Sequence, residues 1–350
     1  MDMNGLRIGY VPYSDKLDQP GDRRRFCYYA NKRNIAFEIA KPSESYDLVV
    51  VTESGDLSVW SDYHKGNAKI IYDFIDSYLA IPRWDAKGLL RGLAKYVAGQ
   101  SKYLRLDHWK TLQVMCRRAD AVICSTEEQK QDILQFCQNV HIILDIHSTV
   151  MRVVKTDYSA GDVFNLVWEG LPHNIQSFYE IKDVLESLKR KYKIALHIVT
   201  DLEYGQYLGK YPKLHTANIA SKLFDDVYLY EWNEQICSAI ISACDMGLIP
   251  IPLDNPLASG KPENKLLLFW RMGMPTVVSA TPAYSRAMHR CGLPMACRTQ
   301  QEWQETLERY IVDESARRDA GQRGKAFAEY YYSEEKILAQ WDNLIASVLY

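Results

Sequence analysis

The 350-residue sequence contains no long uninterrupted apolar run, and no stretch approaches the roughly 18 apolar residues that a membrane-spanning helix needs. Its first residues show no basic segment followed by an apolar core, so we expect no signal peptide. Charge of one sign is not in excess either, because the formal net charge is −2, which argues against a dedicated nucleic-acid-binding protein. Together these absences favour a cytoplasmic protein without a membrane span.

Several enzyme motifs are also missing. The sequence has no GxSxG nucleophile motif, no Walker loop and no GxGxxG fingerprint, which argues against hydrolase, ATPase and dehydrogenase functions. The eight cysteines never occur as CxxC, and the eight histidines lack metal-ligand spacing. We therefore expect reduced, mostly buried thiols and no metal site.

What the sequence does contain is a series of short apolar runs that alternate with helical patterns. Continuous apolarity is typical of strands buried on both faces, as in parallel sheets covered by helices. The predicted strands are Arg7–Val11, Phe37–Ala40, Asp47–Val51, Lys69–Asp73, Ala121–Ser125, His141–Leu144, Phe164–Trp168, Leu196–Thr200, Val227–Tyr230, Gly247–Ile251, Pro275–Ser279 and Met295–Arg298. Helices are predicted over Ile175–Tyr192, Glu234–Cys244 and Asn264–Met272. The β-α alternation occurs twice, which predicts two doubly wound α/β domains.

The domain limits are set by composition. A polar, glycine-containing stretch at residues 148–162 indicates the seam, so we place a first domain at 1–155 and a second at 156–330. Residues 331–350 form a third element, in which Ser333 can cap a helix with apolar residues at helical spacing. We expect this helix to pack back across the domain junction, with a plain edge helix as the alternative.

The stretch KPENKLLLFWRMG predicts an anion site. Pro262 precedes an apolar helix whose first N–H groups lack intrahelical partners, and Lys261 and Lys265 add positive charge there. A phosphate or diphosphate is the expected ligand, and a solvated, charged helix start is the alternative. On the other side of the helix, Leu266, Phe269 and Trp270 should pack on the sheet. We expect these three residues to have a structural role only.

Further candidates follow other strands, because ligands of open α/β sheets lie beyond the carboxyl ends of the strands. In the second domain these candidates are Glu169, Gly170, Thr200, Asp201, Tyr230, Trp232, Glu263 and Asn264. In the first domain, Gly21 with Arg23 and Arg24 of an arginine run suit an anionic acceptor, and Glu53 and Asp76 are candidates for a general base. A tight turn, a core aromatic, a helix cap or a solvated face remains the alternative for each.

These pieces support a family resemblance. ENKLLLFWRMGMPTVVSATPAY resembles the donor-side segment of GT-B glycosyltransferases, especially the retaining group around family four, and RRADAVICST, SACDMGLIPI and YYSEEKILAQWDNLIASVL are similar to other segments in the matching order. The resemblance implies two Rossmann-like domains facing across a cleft and a C-terminal crossover helix. It also implies metal-independent transfer of a sugar from a nucleoside diphosphate sugar, without a further cofactor, to a glycan or lipid-linked acceptor in cell-surface polysaccharide or glycolipid assembly.

The sequence departs from that family at several positions. The glutamate that grips the donor ribose in the family would fall at Leu268, and its first glutamate would fall near Lys261, so ribose binding passes to Glu263. The family histidine would fall at Thr52, which leaves neighbouring Glu53, or Asp76, as the acidic group near the reaction centre. A non-catalytic binding or scaffold protein of this fold and a sugar-nucleotide epimerase are the alternative functions.

Residues 83–118 combine positive charge with apolar side chains. Between Arg83 and Arg118 there are nine Lys or Arg residues against Asp85 and Asp107, with leucines and aromatics interleaved. Such a surface suits the anionic inner face of a membrane, where lipid-linked acceptors are found. A solvated pair of basic helices over the core is the alternative.

Overall fold

The structure, a computed structural model, describes residues 5–81, 96–97, 99, 101–205 and 214–350. The chain divides into two units, one formed by Met1–Ile146 with Glu334–Tyr350 and the other by His147–Ser333. Each unit contains a six-stranded sheet in which all neighbouring strands run parallel. The prediction of two doubly wound α/β domains is therefore confirmed.

The first unit contains the strands β1 (Ile8–Val11), β2 (Glu38–Ile39), β3 (Leu48–Thr52), β4 (Lys69–Asp73), β5 (Ala121–Cys124) and β6 (Val140–Ile142). Their order across the sheet is β2-β1-β3-β4-β5-β6. The helices are α1 (Pro20–Arg24), α2 (Phe26–Lys32), α3 (Leu57–Trp60), α4 (His108–Arg118), α5 (Glu127–Ile133) and α14 (Glu334–Leu349), with 3-10 turns at Lys65–Asn67 and Tyr78–Ala80.

Helix α14 completes the core of this unit. Its apolar side chains are buried together with residues of the strands and of α2, and Trp341 stacks on Tyr29 with ring centroids 5.5 Å apart. Within the unit, alternate residues of β3 enter different clusters, Leu48 and Val50 in the cluster that contains α14 and Val49 in another. Both faces of the sheet are thus covered, which is why β1, β3 and β5 are buried at every position.

The second unit contains the strands β7 (Phe164–Glu169), β8 (Ile194–Thr200), β11 (Val227–Glu231), β12 (Met246–Ile249), β13 (Thr276–Ser279) and β14 (Ala296–Cys297), in the order β11-β8-β7-β12-β13-β14. A short antiparallel hairpin, β9 (Glu203–Tyr204) with β10 (Leu214–His215), follows β8. The helices are α6 (Lys182–Lys189), α7 (Ala217–Ala220), α8 (Cys237–Ala243), α9 (Pro256–Ser259), α10 (Asn264–Arg271), α11 (Pro282–Cys291), α12 (Gln300–Val312) and α13 (Glu314–Tyr331). The strand order reverses between β7 and β12, and such switch points are where doubly wound sheets bind ligands.

The side chains predicted to anchor α10 are buried as expected, but Trp270 packs against α13, whereas the prediction was packing on the sheet. Leu266, Phe269 and Trp270 are fully buried, and Trp270 meets Phe327 of α13 edge to face with centroids 5.5 Å apart. The helix ends before Gly273, whose positive φ of 72° favours glycine. The buried face fixes the position of the α10 N-terminus relative to the sheet.

Three local features differ from the prediction. The single helix predicted over Ile175–Tyr192 is a 3-10 helix at Pro172–Ile181 followed by α6, because the backbone at Ile181 leaves the α-helical region (φ −124°, ψ 12°). The connection between β12 and α10, for which no helix was predicted, contains α9, whose first N–H groups are capped by the Asn255 side chain. The β9–β10 hairpin was not predicted at all.

All eight cysteines are unpaired and six are buried, as expected. Across the described ranges, no helix combines the length and apolarity required to cross a membrane.

Candidate functional site

The carboxyl ends of three neighbouring strands of the second unit lie at the same edge of the sheet. Glu169, the last residue of β7, is in register with Val199, and Thr200 at the end of β8 is in register with Glu231. Trp232 comes directly after β11, and its backbone N–H donates to the Thr200 carbonyl over 2.9 Å. The predicted residues Glu169, Thr200 and Trp232 are therefore brought together beside the switch point.

Glu169 and Trp232 are joined through their side chains. The indole N–H of Trp232 donates to a carboxylate oxygen of Glu169 over 3.0 Å, and Glu169 is only 8% exposed. A partly buried indole held in this way offers a fixed aromatic surface of the kind on which a planar group can stack. Glu169 thus acts as a positioning residue for Trp232.

Lys265 lies over the same strand end. Its ammonium donates to the main-chain carbonyl of Glu169 and lies 4.3 Å from the ring centroid of Trp168, a cation–π contact. Gly170 makes room for it, because a Cβ there would collide with the Lys265 ammonium and lie 2.8 Å from the Trp168 ring. The cation predicted at the start of α10 is therefore held at the end of β7.

Lys261 connects a second pair of segments. Its ammonium donates to the Asn174 side-chain oxygen over 3.2 Å, between the loop before α10 and the 3-10 helix that follows β7. Asn264 is the first residue of α10, and the side chain of the N-cap residue, Glu263, makes no capping hydrogen bond. Two lysines at a helix N-terminus provide formal and partial positive charge together, which is the electrostatic arrangement that binds phosphate groups.

Glu263 and Leu268 have environments that the sequence could not reveal. A Glu263 carboxylate oxygen accepts a hydrogen bond from the Tyr332 hydroxyl over 3.2 Å, and burial raises the pKa of Glu263 against the opposing charges of Arg286 and Arg290. Leu268 is 1% exposed and belongs to the buried face of α10. The family position for a ribose-binding glutamate is therefore part of the hydrophobic core in this chain.

The remaining predicted residues of this unit have individual settings. The Thr200 hydroxyl is buried and has no hydrogen-bond partner within the described residues. Burial raises the pKa of the Asp201 carboxyl, and the charges of Glu231 and Glu169 add to the effect. Tyr230 lies apart from the strand-end cluster: its hydroxyl and the His197 Nδ1 are 2.9 Å apart, and the two rings stack.

In the first unit, Glu53 and Asp76 are neighbours. Glu53 follows β3, and one of its carboxylate oxygens accepts hydrogen bonds from the N–H groups of Ile75 at 3.2 Å and Asp76 at 2.9 Å. Burial, and secondly the charge of Asp76, raise the pKa of Glu53 to about 8. A carboxyl group that changes protonation near neutral pH is suited to general acid–base chemistry.

Tyr13 and Gly21 meet at the end of β1. A Cβ on Gly21 would collide with the Tyr13 ring, so glycine is required for this packing. The buried Tyr13 hydroxyl has no hydrogen-bond partner within the described ranges, and burial, followed by the charge of Glu53, raises its pKa. Asp22 holds the same turn by accepting from the N–H groups of Tyr13 at 2.9 Å and Ser14 at 3.1 Å.

The arginine run has three different settings. Arg23 is half-buried and its Nε donates to the Asp18 carbonyl over 2.9 Å, whereas Arg24 is 9% exposed and its Nε has no hydrogen-bond partner in the part of the chain that is described. Arg25 is completely buried and makes a bidentate ion pair with Asp73, at 2.8 and 2.7 Å. The run is therefore not simply a solvated face.

Four residues that contact the candidate site residues were not predicted from the sequence: Trp168, Tyr332, Tyr13 and Asp22. Trp168 read as an ordinary core residue of a strand, and Tyr332 lies 69 residues from Glu263, so no local pattern connects the two. Asp22 was detectable in principle, because it stands just inside a proline-initiated helix that is the next element after β1.

Over the described ranges, no group of three or more His, Cys, Asp or Glu residues is placed to hold a metal ion.

No protein-family model matches this sequence, and no curated protein matches it. Solved structures do match. HepE of Anabaena, in complex with UDP-glucose, has a TM-score of 0.63 at 13% identity and covers 98% of this chain and 100% of its own. A glycosyltransferase from Rickettsia africae has a TM-score of 0.60 at 10% identity and covers 99% of both chains.

A structure of TarM from S. aureus, with Fondaparinux, alpha-GlcNAc-glycerol and UDP, has a TM-score of 0.58 at 14% identity. It covers 91% of this chain, which spans 57% of the length of TarM. With two Rossmann-like parallel-sheet domains and these neighbours, the fold class is established. The chain has the GT-B fold. At such low identities the GT-B likeness concerns the fold, and the chemistry has to be argued from the residues.

Proposed function

We propose that this protein is a glycosyltransferase that uses a nucleoside diphosphate sugar and that it is related to the retaining family-four enzymes it resembles. The observation that carries the proposal is the position of Lys265, held over the end of β7 at the switch point of the second sheet and beside the N-terminus of α10. Switch points and helix N-termini are the places where α/β proteins bind the phosphates of nucleotides. The GT-B fold, shared with structures that contain UDP or UDP-glucose, supports the same ligand class.

In the proposed reaction, the bond between the anomeric carbon and the diphosphate oxygen breaks, and a bond from that carbon to an acceptor hydroxyl oxygen forms. The departing diphosphate keeps the electron pair, and Lys261, Lys265 and the first N–H groups of α10 would stabilise its negative charge. Trp232 would support the nucleobase, and Glu263 the ribose. Fixed cations supply this stabilisation, so we propose a reaction without metal or further cofactor, and chelation with EDTA should leave the rate unchanged.

We assign the acceptor to the first unit. Glu53, with its pKa of about 8, would take the proton that the acceptor hydroxyl loses, and Asp76 would tune that pKa through its charge. Gly21, through its packing with Tyr13, and the neighbouring Arg23 and Arg24 would shape the acceptor side.

We further propose that the acceptor is a glycan or a lipid-linked glycan of the cell surface, met at the inner face of the membrane. Residues 82–95, which include Arg83, Lys87 and Arg91, lie outside the described residues. In the described remainder, Leu104 is 46% and Leu106 58% exposed, and with Arg105 they line a cavity of about 300 Å³. Apolar side chains exposed among basic ones are typical of an interfacial membrane contact.

The membrane proposal has a direct measurement. The double variant Leu104→Ser/Leu106→Ser should reduce co-sedimentation with vesicles that contain phosphatidylserine. Val312→Ser, which removes an exposed apolar side chain from α12, is the matched control and should bind normally. Equal sedimentation of all three proteins, or equal binding to purely zwitterionic vesicles, would contradict the proposal.

The donor proposal is tested with nucleoside diphosphates. We expect one of them to raise the melting temperature in a concentration-dependent manner, because a ligand that binds only the folded state stabilises it. Lys265→Met should lower the affinity by about tenfold or more in calorimetry, since a charge-assisted contact is lost. Lys325→Met, which changes a half-buried lysine of α13 paired with Glu329, should bind like the parent. Undiminished binding by Lys265→Met would exclude this site.

One observation favours a second candidate, a binding protein of this fold without transferase activity. The buried Leu268 removes the carboxylate that the family resemblance assigns to the ribose. Both candidates predict that a nucleoside diphosphate binds to the second unit. Only the transferase also releases the nucleoside diphosphate from a nucleotide sugar when an acceptor is added, so a coupled release assay separates the two.

A further inference from the structure

A second cavity lies at the opposite edge of the second unit's sheet. It has a volume of about 450 Å³, and its walls come from the α6–β8 connection, residues 189–195, and from the amino ends of β7 and β11. Because these strands are parallel, their amino ends lie at the edge away from Glu169, Thr200 and Trp232. The cavity therefore has no part in the nucleotide site proposed above, and its size is that of a small-molecule site.

Four cationic side chains occur within five residues of this wall: Lys189, Arg190, Lys191 and Lys193. Two of them are compensated. Lys189 forms ion pairs with Asp225 at 3.1 Å and Asp226 at 2.8 Å, and Lys191 forms one with Glu308 at 2.5 Å.

The other two cations, Arg190 and Lys193, are exposed and form no ion pair within the described residues. They are the charges of the wall that are available to a ligand. A guanidinium can hold a carboxylate, sulfate or phosphate through two parallel hydrogen bonds, and an ammonium can add a third.

An aromatic surface forms another part of the wall. Tyr228 of β11 is 53% exposed, and its ring stacks on His197 with centroids 5.0 Å apart and an interplanar angle of 16°. His197 is itself held from both sides, because its two ring nitrogens lie 2.9 Å from the Tyr230 hydroxyl and 2.9 Å from the Asn165 side-chain oxygen. Tyr228 is thus a rigid, solvent-facing ring, and an aromatic ring with a hydroxyl at its rim suits a ligand that is apolar on one face and polar at its edge.

The acidic residues of the same region restrict the charge of the ligand. Asp225, Asp226 and Glu308 lie beside the cationic run. Their negative charges would repel a ligand that carries many negative groups. A nucleic acid, with a phosphate on every nucleotide, would meet these carboxylates, and its binding requires an extended basic surface. A hydroxylated ring with one negative group can bind Arg190 and Lys193 through that group and turn its hydroxyls toward the carboxylates.

We propose that this cavity is a second binding site, for an anionic saccharide. One sugar ring would lie on Tyr228, its carboxylate, sulfate or phosphate would bind Arg190 and Lys193, and Asp226 with the main-chain carbonyls of the connection would accept hydrogen bonds from its hydroxyls. The site is independent of the proposed transferase reaction, and it would stand if that reaction were disproved.

The test uses the whole chain and digalacturonic acid as the probe, titrated by calorimetry and by NMR. We expect saturable binding that uridine diphosphate does not displace. The double variant Arg190→Gln/Lys193→Gln should weaken it by about tenfold or more. Arg323→Gln/Lys325→Gln, the same change of charge at an exposed and a half-buried position of α13, is the matched control and should bind like the parent.

Tyr228→Ser should also abolish binding, with the melting temperature recorded to show that the variant is folded. The charge variant keeps the test valid if that substitution unfolds the protein, because Arg190 and Lys193 are exposed side chains. Absence of saturable binding, or binding that survives the charge variant, would overturn the proposal. Equal binding of neutral cellobiose would also overturn it, and so would tighter binding of a short oligothymidylate.

Discussion

Trp232 and Glu169 are joined by a 3.0 Å hydrogen bond from the indole to the carboxylate, and the main-chain carbonyl of the same glutamate accepts a bond from Lys265. One residue therefore positions both the aromatic and the cationic side chain of the candidate nucleotide site. The indole N–H is a donor that phenylalanine lacks, so Trp232→Phe leaves a carboxylate without its partner. Such a loss costs about 1–3 kcal/mol.

For Trp232→Phe we accordingly expect weaker nucleoside diphosphate binding, by about fivefold or more. We also expect the ligand-dependent change in tryptophan fluorescence to disappear. Trp303→Phe, in the buried face of α12, controls for the loss of one tryptophan and should retain the signal. If both variants kept the signal, Trp232 would not face the ligand.

Gly170 is expected to tolerate no side chain. In Gly170→Ala the new methyl group must push away the Lys265 ammonium or the Trp168 ring, and overpacking of this kind typically costs about 1–3 kcal/mol. Denaturant unfolding and nucleotide titration should both report the loss. Gly161→Ala is the matched control, because its Cβ would meet no atom within 4 Å, and an equal effect of the two substitutions would refute the packing argument.

Glu53 makes stability depend on pH with a defined sign. Its pKa rises from an ordinary 4.5 to about 8 in the folded protein. Between these pH values the folded state keeps a proton that the unfolded state releases, so the stability falls as the pH increases. Glu53→Gln removes this effect, and its melting temperature relative to the parent should be higher at pH 9 than at pH 5. The same relative melting temperature at both pH values would contradict the raised pKa.

The proposed catalytic role of Glu53 predicts a pH–rate profile as well. A base must be ionised, so kcat/KM should rise with pH through about 8, and Glu53→Gln should lose most of the activity. Asp76→Asn removes a neighbouring negative charge, and the rising limb should therefore move to lower pH. Full activity in Glu53→Gln would leave the reaction without this base.

Leu268→Glu introduces the residue type that the family resemblance implies at this position, and we expect the variant to be less stable without binding nucleotide better. The side chain lies in the core, where an unpaired carboxylate costs about 3 kcal/mol or more. Chemical denaturation should show this loss without any gain in nucleotide affinity. Ile236→Glu, at a position that is 49% exposed in the same unit, should be nearly neutral. A gain in affinity for Leu268→Glu would show that α10 can rotate toward the ligand.

The strands could be predicted because each carries its own pattern. Leu48–Thr52 and Ala121–Cys124 are apolar at nearly every position, and a strand buried on both faces requires that composition regardless of its neighbours. The anchoring face of α10 was predictable for a similar reason, because its spacing is local. The hairpin after β8 has only two residues in each strand, which is too short to leave a pattern.

The site was predicted only as far as strand ends can be recognised. Three consecutive arginines look equivalent in the sequence, yet only Arg25 of the three pairs with Asp73, which lies 48 residues away. The reason is that the helix is interrupted at Arg25, between α1 and α2. Glu263 likewise meets Tyr332 from a distant helix. Such pairs depend on which elements pack together, and no local spacing contains that information.

The composition of the first unit's core has a consequence for protein synthesis. Because α14 supplies six buried side chains to it, Phe26, Tyr29 and their neighbours cannot be covered until residues 334–350 have left the ribosome. The whole second unit is translated in the interval, which lasts on the order of ten seconds at usual elongation rates. The second unit can therefore fold first, while the apolar core of the nascent first unit stays uncovered.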